Sequence, residues 1–294
     1  MNMVGPQAAL LGEGERLHLN HGPIDLIIGV DAETPELRQM AFEAACERFQ
    51  NILGGLVQEL SQHRQQLTPQ SQRPLDPVAR RMYRAAAPFC AKSFLTPMIA
   101  VAGAVADEVL AAICSAVPLR RAYVNNGGDI AVYLAKGAEY SVAMAQHSGG
   151  DLGRVRFAST DGIGGIATSG AKGRSHSFGI ADSVTVLAAN ASQADVAATL
   201  IANAVDLPGN PGIQRRPANE LQPDSDLGAR MVVTAVPLLD QLDRDAALES
   251  GHAIARSMLT DGHIKGAALY LQNQVKLVGQ VFGFPEQILE MKNA

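Results

Sequence analysis

Strand-like and helix-like segments are mixed along this chain without regular alternation. This order limits the possible folds more than any other feature of the sequence. Residues 17–31 predict two short strands joined by a turn at His21-Gly22-Pro23, and residues 183–189 predict another strand. Residues 192–205 predict a helix directly after that strand. Because a doubly wound parallel sheet requires a repeated strand–helix–strand order, the pattern predicts an α+β fold, with mixed sheets packed against helices.

Three Pro-containing pairs mark the predicted helix starts in the first half of the chain. Thr34-Pro35 predicts a long helix that ends near His63, and Asp76-Pro77 predicts one through about Ala86. Thr96-Pro97 opens a third helix that is rich in small residues. Gly103 inside it weakens the helix by about 1 kcal/mol relative to Ala, which calls for a packing or a ligand-contact explanation. Packing is the simpler of the two.

Length and composition predict how the chain is organised into domains. The 294 residues are 47% hydrophobic, which is enough for a substantial core. We expect one domain over 1–294, or two intertwined α+β subdomains. The segment 206–228 is rich in Pro, Asn, Gly and charged residues and predicts an exposed loop.

Charge and cysteine content argue against several classes of protein. The net charge is −5 and no basic stripe is visible, so we expect no nucleic-acid partner. No stretch reads as a membrane span, and the first residues do not resemble a secretion signal, so we expect no membrane partner. The three cysteines show no CxxC spacing and are expected to be unpaired thiols in a cytoplasmic protein.

The segment NNGGDI is the first that could carry chemistry. Two glycines after an apolar strand expose backbone N–H donors and allow another group to approach closely. The candidate cofactor-binding residues here are Asn126, Gly127, Gly128 and Asp129. A simple turn or bulge in a strand explains the same residues, since Asn and Asp beside glycine favour turns.

The second candidate segment is the loop ATSGAKGRSHSFG at 167–179. Its hydroxyls, backbone N–H groups and cations are the groups that bind phosphates, although it is neither a Walker loop nor a GxGxxG fingerprint. His176 and Lys172 are its candidate catalytic residues, and a flexible surface loop is the alternative. Its candidate cofactor-binding residues are Thr168, Ser169, Gly170, Gly173, Ser175 and Ser177, to which Gly103 is added from the small-residue helix.

The third candidate is the pair Asp195 and Thr199 on the predicted helix 192–205. Four residues apart, their oxygens point the same way from a helix, and a carboxylate with a hydroxyl suits a hard cation such as Mg²⁺. The spacing Ser192-x-x-Asp195 also matches a capping box, which would give Asp195 a purely structural role. Both interpretations remain open from the residues alone.

The order of these segments resembles the ApbE-like superfamily, whose members include FAD:protein FMN transferases. The matching landmarks, taken in chain order, are VAGAVAD at 101–107, NNGGDI at 125–130, ATSG at 167–170, SVTV at 183–186 and ADVAAT at 194–199. The detail is closer still to an uncharacterised prokaryotic family within that superfamily, over residues 90–205. This resemblance implies the ApbE-like, T-fold-like α+β fold.

The resemblance also implies cofactors and an activity. Asp195 and Thr199 would hold Mg²⁺ together with a backbone carbonyl near Val101, while the TSG loop and NNGGDI would line FAD. The implied function is Mg²⁺-dependent FMN transfer, with a protein as acceptor, or FAD diphosphate hydrolysis. A non-catalytic nucleotide-binding or accessory protein of the same fold is the alternative, and a homodimer is the default assembly.

Two departures from the transferases bear on that choice. Ala102 stands where the transferase motif has a lysine, and the chain lacks the transferase loop that contains a histidine. His176 therefore has no direct counterpart. The retained Asp195 and Thr199 favour chemistry, whereas the two departures favour binding alone.

Overall fold

The computed structural model describes residues 5–145, 151–173, 175–279 and 282–283. Its contacts divide the chain into two compact units, each assembled from segments that are separate in sequence. Unit 1 comprises Met1–Ala138, Ile163–Ala167 and Ala188–Val196, and unit 2 comprises Glu139–Gly162, Thr168–Leu187 and Ala197–Ala294.

Antiparallel strands in sequence order form the sheet of unit 1. They are β1 (Gln7–Leu11), β2 (Arg16–His21), β3 (Ile24–Asp31), β4 (Arg121–Asn126) and β5 (Asp129–Leu134). The start of β8 (Gly165–Ser169) pairs with β5, with Ile130 opposite Ile166. Leu26, Ile28 and Val124 are fully buried, as the alternation of apolar residues along β3 and β4 requires.

Two helices of unit 1 begin at the predicted Pro-containing pairs, and the third pair opens a short 3₁₀ turn ahead of the predicted helix. The helices of this unit are α1 (Pro35–Phe49), α2 (Ile52–Gln58), α3 (Leu60–His63), α4 (Pro77–Ala86) and α5 (Val101–Ala116), the last preceded by a 3₁₀ turn at Pro97–Ala100. The Thr34 side chain accepts a hydrogen bond from the Leu37 N–H, and Asp76 accepts from Val78 and Ala79. These side chains satisfy N–H groups that a helix leaves unpaired.

The prediction of one continuous helix from Pro35 to His63 is wrong. The chain ends its helical run at His63, but breaks it into α1, α2 and α3. Asn51 sits at the first break, and the Gly54-Gly55 pair in α2 lowers helix propensity. The predicted strands over 17–31 are confirmed, whereas β1 was not predicted from the sequence.

Unit 2 contains three groups of strands. The end of β8 neighbours β9 (Ser183–Ala188), followed by β12 (Gly266–Leu271) and β13 (Gln274–Val278). A second sheet has the order β14 (Phe282–Gly283), β7 (Asp151–Ala158), β6 (Glu139–Ala145). Strands β10 (Gln214–Pro217) and β11 (Met231–Ala235) form a pair, and the helices are the end of α6 (Ala191–Ala204), α7 (Ala218–Leu221) and α8 (Gln241–Thr260).

The segment 206–228, predicted as an exposed loop, is more ordered than a loop. It contains β10 and α7, and the side chains of Ile213 and Ala218 are buried. The Arg215 side chain donates to the Phe178 carbonyl and to Asp206, both at 2.5 Å. These contacts explain why a polar, Pro-rich sequence is fixed in place.

One described helix does not fit the expectation that no stretch of the chain reads as a membrane span. The 20 residues Pro97–Ala116 are long and apolar enough to cross a membrane by length and composition. Half of their apolar window is buried inside the protein, as in the core helices of soluble proteins, so this is weak evidence for a span. The three cysteines, Cys46, Cys90 and Cys114, are free thiols as predicted.

Candidate functional site

The first turn of α5 lies against the start of α6 within unit 1, and Gly103 is the residue that permits it. A Cβ added to Gly103 would meet the Ala191 carbonyl and would stand 2.7 Å from the Ser192 nitrogen. The Gly103 N–H donates to Asp195 Oδ2 at 3.1 Å. Close packing therefore accounts for this glycine, and its N–H is directed at a candidate metal ligand and not left open for a cofactor.

Asp195 is a half-buried residue whose carboxylate is strongly desolvated. Burial raises its pKa well above the usual value for Asp, and the negative charge of Asp129 raises it further, with a smaller contribution from Asp107. The hydrogen bond from Gly103 opposes this shift. Among the described residues, no ion pair of Asp195 is found.

Asn126 connects the β4–β5 turn to the same part of α5. Its side chain is buried, and its Nδ2 donates to the Ala102 carbonyl at 3.1 Å. The segments 101–107 and 125–130 therefore meet, as the resemblance requires. The carbonyl engaged is that of Ala102, the residue that replaces the transferase lysine.

The two glycines of NNGGDI form the turn between β4 and β5. Gly127 and Gly128 have φ values of 66° and 117°, which are readily adopted only by glycine. The Gly128 N–H donates to the Asn125 side chain at 2.9 Å. The turn alone therefore explains both glycines. The negative charge of Asp129, which follows them in the chain, raises the pKa of Asp195.

The start of α6 is capped by two residues other than Asp195. Asn190 Oδ1 accepts from the Gln193 N–H at 2.9 Å, which is the N-cap arrangement. The carboxylate of Asp107 on α5 accepts from the N–H groups of Ala191 and Ser192, both at 2.9 Å. The capping-box interpretation of Ser192 and Asp195 is wrong because the helix begins before Ser192.

Asp107 is a site residue that sequence reasoning did not single out. Asp107 is the last residue of the motif VAGAVAD, so the sequence showed this acid but not the N–H groups of α6 that bond to it. Burial raises its pKa, and the two N–H donors of α6 oppose that shift. A buried acid on α5 thus sets where α6 starts, and α6 in turn carries Asp195.

The candidate residues of unit 2 begin with three hydroxyls at the end of β8 and on α6. Thr168 and Thr185 share a hydrogen bond between their hydroxyls at 2.9 Å, and Thr168 is exposed. The Thr199 hydroxyl donates to Ser169 Oγ at 3.3 Å. The Thr199 and Ser169 hydroxyls, one on α6 and one at the end of β8, are therefore brought together.

The glycines and the lysine that follow form a compact turn in unit 2. Gly170 has a φ of 151°, and a Cβ there would stand 2.7 Å from the Asp182 carbonyl. The Gly173 N–H donates to the Gly170 carbonyl at 3.0 Å. Lys172 is mostly exposed, and its ammonium pairs with Asp182 at 2.9 Å, while Asp182 also accepts from the Gln272 N–H.

The second half of the loop separates two serines that look equivalent in sequence. Ser175 is exposed and His176 is half-buried. Ser177 is buried, and its hydroxyl donates to the Gly179 carbonyl at 3.0 Å. The Asn203 side chain accepts from the Phe178 N–H. Ser177 therefore makes its hydrogen bond in the interior of unit 2. Arg174, in the same loop, lies outside the described residues.

The residues around Asp195 suit a hard cation in chemistry but do not form a ready-made ligand cluster. Over the described ranges, no group of three or more His, Cys, Asp or Glu side chains is arranged to hold a metal. Within unit 1 the atoms available near Asp195 are its own carboxylate and backbone carbonyls at the start of α5, all oxygen atoms. An oxygen-only set is typical of Mg²⁺, which keeps several waters or phosphate oxygens of its own.

This fold is that of flavin transferases of the ApbE type. The structure matches the ApbE protein of Thermotoga maritima with a TM-score of 0.53 at 11% identity, over 92% of this chain and 96% of that one. It matches the apo form of Pseudomonas stutzeri flavinyl transferase ApbE with a TM-score of 0.51 at 11% identity, over 97% and 100%. Identities this low establish the shared fold alone.

The chain belongs to the family described as AbpE bacteria, whose model matches residues 8–277. It is also similar to UPF0280 proteins of methanogens. The match is 44% identical for the protein of Methanopyrus kandleri, over 43% of this chain and 48% of the relative. For that of Methanothermobacter thermautotrophicus it is 39% identical, over 45% and 49%. The chain spans about half the length of these curated relatives.

Proposed function

We propose that this protein binds a flavin dinucleotide with the help of Mg²⁺ and cleaves its diphosphate, by FMN transfer to an acceptor protein or by hydrolysis to FMN and AMP. The observation that carries the proposal is the Asp195 carboxylate, which the Gly103 N–H holds at 3.1 Å and for which no ion pair is found among the described residues. Burial and the negative charge of Asp129 both raise the pKa of Asp195, so ionising this carboxyl is costly unless a cation offsets its charge. A metal brought by a dinucleotide supplies that offset.

In this proposal Asp195 and Thr199 hold the metal from α6, and a backbone carbonyl at the start of α5 completes the protein ligands. Mg²⁺ bound there would neutralise negative charge that develops on the diphosphate. Gly103 keeps the Asp195 carboxylate oriented through its N–H, and Asn126 fixes the Ala102 carbonyl. Both contacts place oxygen atoms before any ligand arrives, which lowers the cost of binding.

The phosphates and the sugar are proposed to lie along the residues of the TSG loop that stay open. Thr168 and Ser175 are exposed and can donate hydroxyl hydrogen bonds, and Lys172 can exchange its Asp182 partner for a phosphate. His176 is the proposed acid or base, since its half-buried imidazole can donate or accept a proton. Ser177 is better understood as a structural residue of this loop.

The test is direct product analysis. Purified protein is incubated with FAD, with and without Mg²⁺, and FMN and AMP are separated by liquid chromatography. We expect release that requires Mg²⁺ in the wild type and is lost in Asp195→Asn. Covalent FMN on an added acceptor protein would identify transfer, and free FMN would identify hydrolysis.

A second function is favoured by a different observation. Ala102 stands where the resemblance to the transferases places a lysine, so this chain has no side-chain amine at that position. A non-catalytic protein that binds the dinucleotide would show Mg²⁺-dependent FAD binding by flavin fluorescence, without FMN or AMP release. Absence of both binding and release would contradict both functions.

A further inference from the structure

A cavity in unit 1 is formed by the end of α3, the loop 64–76, α4 and the turn before α5. Its volume is about 290 Å³, close to the lower end of small-molecule sites, which span roughly 300–1,000 Å³. We name it the glutamine cavity because four carboxamide side chains line it: Gln62, Gln65, Gln66 and Gln72. None of the residues assigned above to the flavin or to the metal lines it.

The loop around this cavity is held open by specific hydrogen bonds. Gln62 Nε2 donates to the Gln72 carbonyl at 3.0 Å, and the Thr68 N–H donates to Ser71 Oγ at 2.9 Å. The Leu67 N–H donates to the Leu95 carbonyl at 2.9 Å. Irregular loops of this length inside compact domains are uncommon and are often functional. A loop pinned at several points around an open space is a preformed site.

His63 contributes a buried ring to the wall of the cavity. It lines the cavity, is 1% exposed, and its Nε2 has no hydrogen-bond partner in the described part of the chain. A buried polar atom without a partner costs about 1–3 kcal/mol, so such atoms are rare unless a ligand or water satisfies them. Desolvation lowers the pKa of His63, although Glu59 opposes the shift, so the ring is neutral at pH 7.

Two acids and an arginine close to the cavity already have hydrogen-bond partners. The Glu59 carboxylate accepts from the N–H groups of Leu75 and Asp76, at 2.9 and 3.0 Å. Asp76 caps α4, and Arg80 donates to the Pro74 carbonyl. Among the described residues, no Asp, Glu, Lys or Arg side chain lines the cavity itself. An ionic ligand would therefore lose its hydration without gaining a counter-charge.

The lining alternates carboxamides with flat apolar surfaces. Leu67, Pro74 and Pro97 supply aliphatic faces, and the rings of Tyr83 and His63 supply aromatic ones. A carboxamide both donates and accepts, so it pairs with a group whose edge does the same. Planar rings with an amide-like edge satisfy both the faces and the edges of such a site.

We propose that the glutamine cavity binds a small, uncharged, planar heterocycle that carries adjacent hydrogen-bond donors and acceptors, of the nucleobase type. This site is separate from the proposed dinucleotide site. A free heterocycle and the base of a larger nucleotide have the same planar ring with the same donors and acceptors. Testing the free base first shows whether the ring alone is bound.

The probe is uracil, measured by isothermal titration calorimetry and ligand-detected NMR on the full chain. Orotate, which is uracil with a carboxylate, tests the exclusion of charge, and glucose tests the need for a planar ring. We expect saturable binding of uracil, and binding of orotate and glucose at least 10-fold weaker. Equal binding of orotate or glucose, or no saturable binding of uracil, would overturn the proposal.

Matched variants locate the binding. Gln66→Leu should weaken uracil binding roughly 3- to 10-fold, the size of one or two hydrogen bonds, and Gln70→Leu should leave it unchanged. Both residues are exposed and lie in the same loop, but of the two only Gln66 lines the cavity. Gln70→Leu therefore controls for any effect of the substitution on stability. Asp195→Asn should bind uracil with wild-type affinity. Loss in that variant would assign uracil to the dinucleotide site and sink the proposal, whatever happens to FAD.

Discussion

The Gly103 N–H and the Asp195 carboxylate are joined by a hydrogen bond of 3.1 Å that links the first turn of α5 to α6. The absence of a side chain at Gly103 allows the approach, because an added Cβ would stand 2.7 Å from the Ser192 nitrogen. One residue therefore provides both the space and the donor. Helix packing and the placement of the proposed metal ligand depend on the same position.

Replacing Gly103 by Ala should destabilise the protein strongly. The new methyl group would collide with backbone atoms of Ala191 and Ser192, which cannot rotate away. We expect a loss of about 3 kcal/mol in the free energy of unfolding, measured by chemical denaturation, because overpacking against backbone outweighs the gain in helix propensity.

Gly54 provides the matched control for that prediction. It lies inside α2, is exposed, and has open space where a Cβ would be added. Gly54→Ala should therefore stabilise the protein by about 0.5–1 kcal/mol through helix propensity alone. If both substitutions were stabilising, the close approach of α5 to α6 at Gly103 would be contradicted.

Asp107 should be more important for stability than its position in a helix suggests. Its carboxylate is the acceptor for two buried N–H groups at the start of α6. Asp107→Ala leaves both unpaired, and each costs about 1–3 kcal/mol, so we expect a loss of roughly 2–5 kcal/mol by chemical denaturation. Asp107→Asn keeps one accepting oxygen and should lose less. Equal losses in the two variants would argue against the two-acceptor role.

The sequence predicted the helix starts because their signals are local. A Thr or Asp before Pro caps a helix within three residues, and Thr34 and Asp76 do so in the structure. The α+β class and the family could also be predicted, since ordered motifs over residues 90–205 carry both. Asp195 could be singled out by its spacing from Thr199.

What could not be predicted depends on partners that are distant in the chain. Excluding the capping role of Asp195 required knowing that Asn190 and Asp107 already cap α6. The difference between Ser175 and Ser177 required knowing which side of the loop faces the interior. Both facts come from tertiary packing, which leaves no local pattern.

Ser175 and Ser177 should separate ligand binding from stability. Ser177→Ala removes a buried hydroxyl bonded to Gly179 and should cost about 1–2 kcal/mol in the free energy of unfolding. Ser175→Ala removes an exposed hydroxyl and should leave stability unchanged while weakening FAD binding a few-fold in a fluorescence titration. The opposite assignment of the two effects would mean that Ser177, not Ser175, faces the ligand.

The raised pKa of Asp195 predicts how the stability of metal-free protein depends on pH. A carboxyl whose folded-state pKa lies above its unfolded value stabilises the fold below the unfolded pKa, and that contribution is lost as pH rises through the folded pKa. Wild-type protein in chelator should therefore lose stability as pH rises above about 4, the ordinary Asp value. Asp195→Asn lacks this loss, so it should melt at a higher temperature than wild type at pH 8.

Adding Mg²⁺ should reverse that order at pH 8. A cation bound to the ionised carboxylate of Asp195 stabilises the folded state by mass action, and Asn supplies no charge to bind it. Thermal melts followed by circular dichroism, at pH 5 and 8 with and without Mg²⁺, give the comparison directly. Asn also retains an oxygen that can accept from Gly103, so the contact between α5 and α6 is preserved in the variant. A wild-type melting temperature at pH 8 that rises with FAD but ignores Mg²⁺ would remove the metal from the proposal and leave the carboxyl of Asp195 as a buried, protonated acceptor.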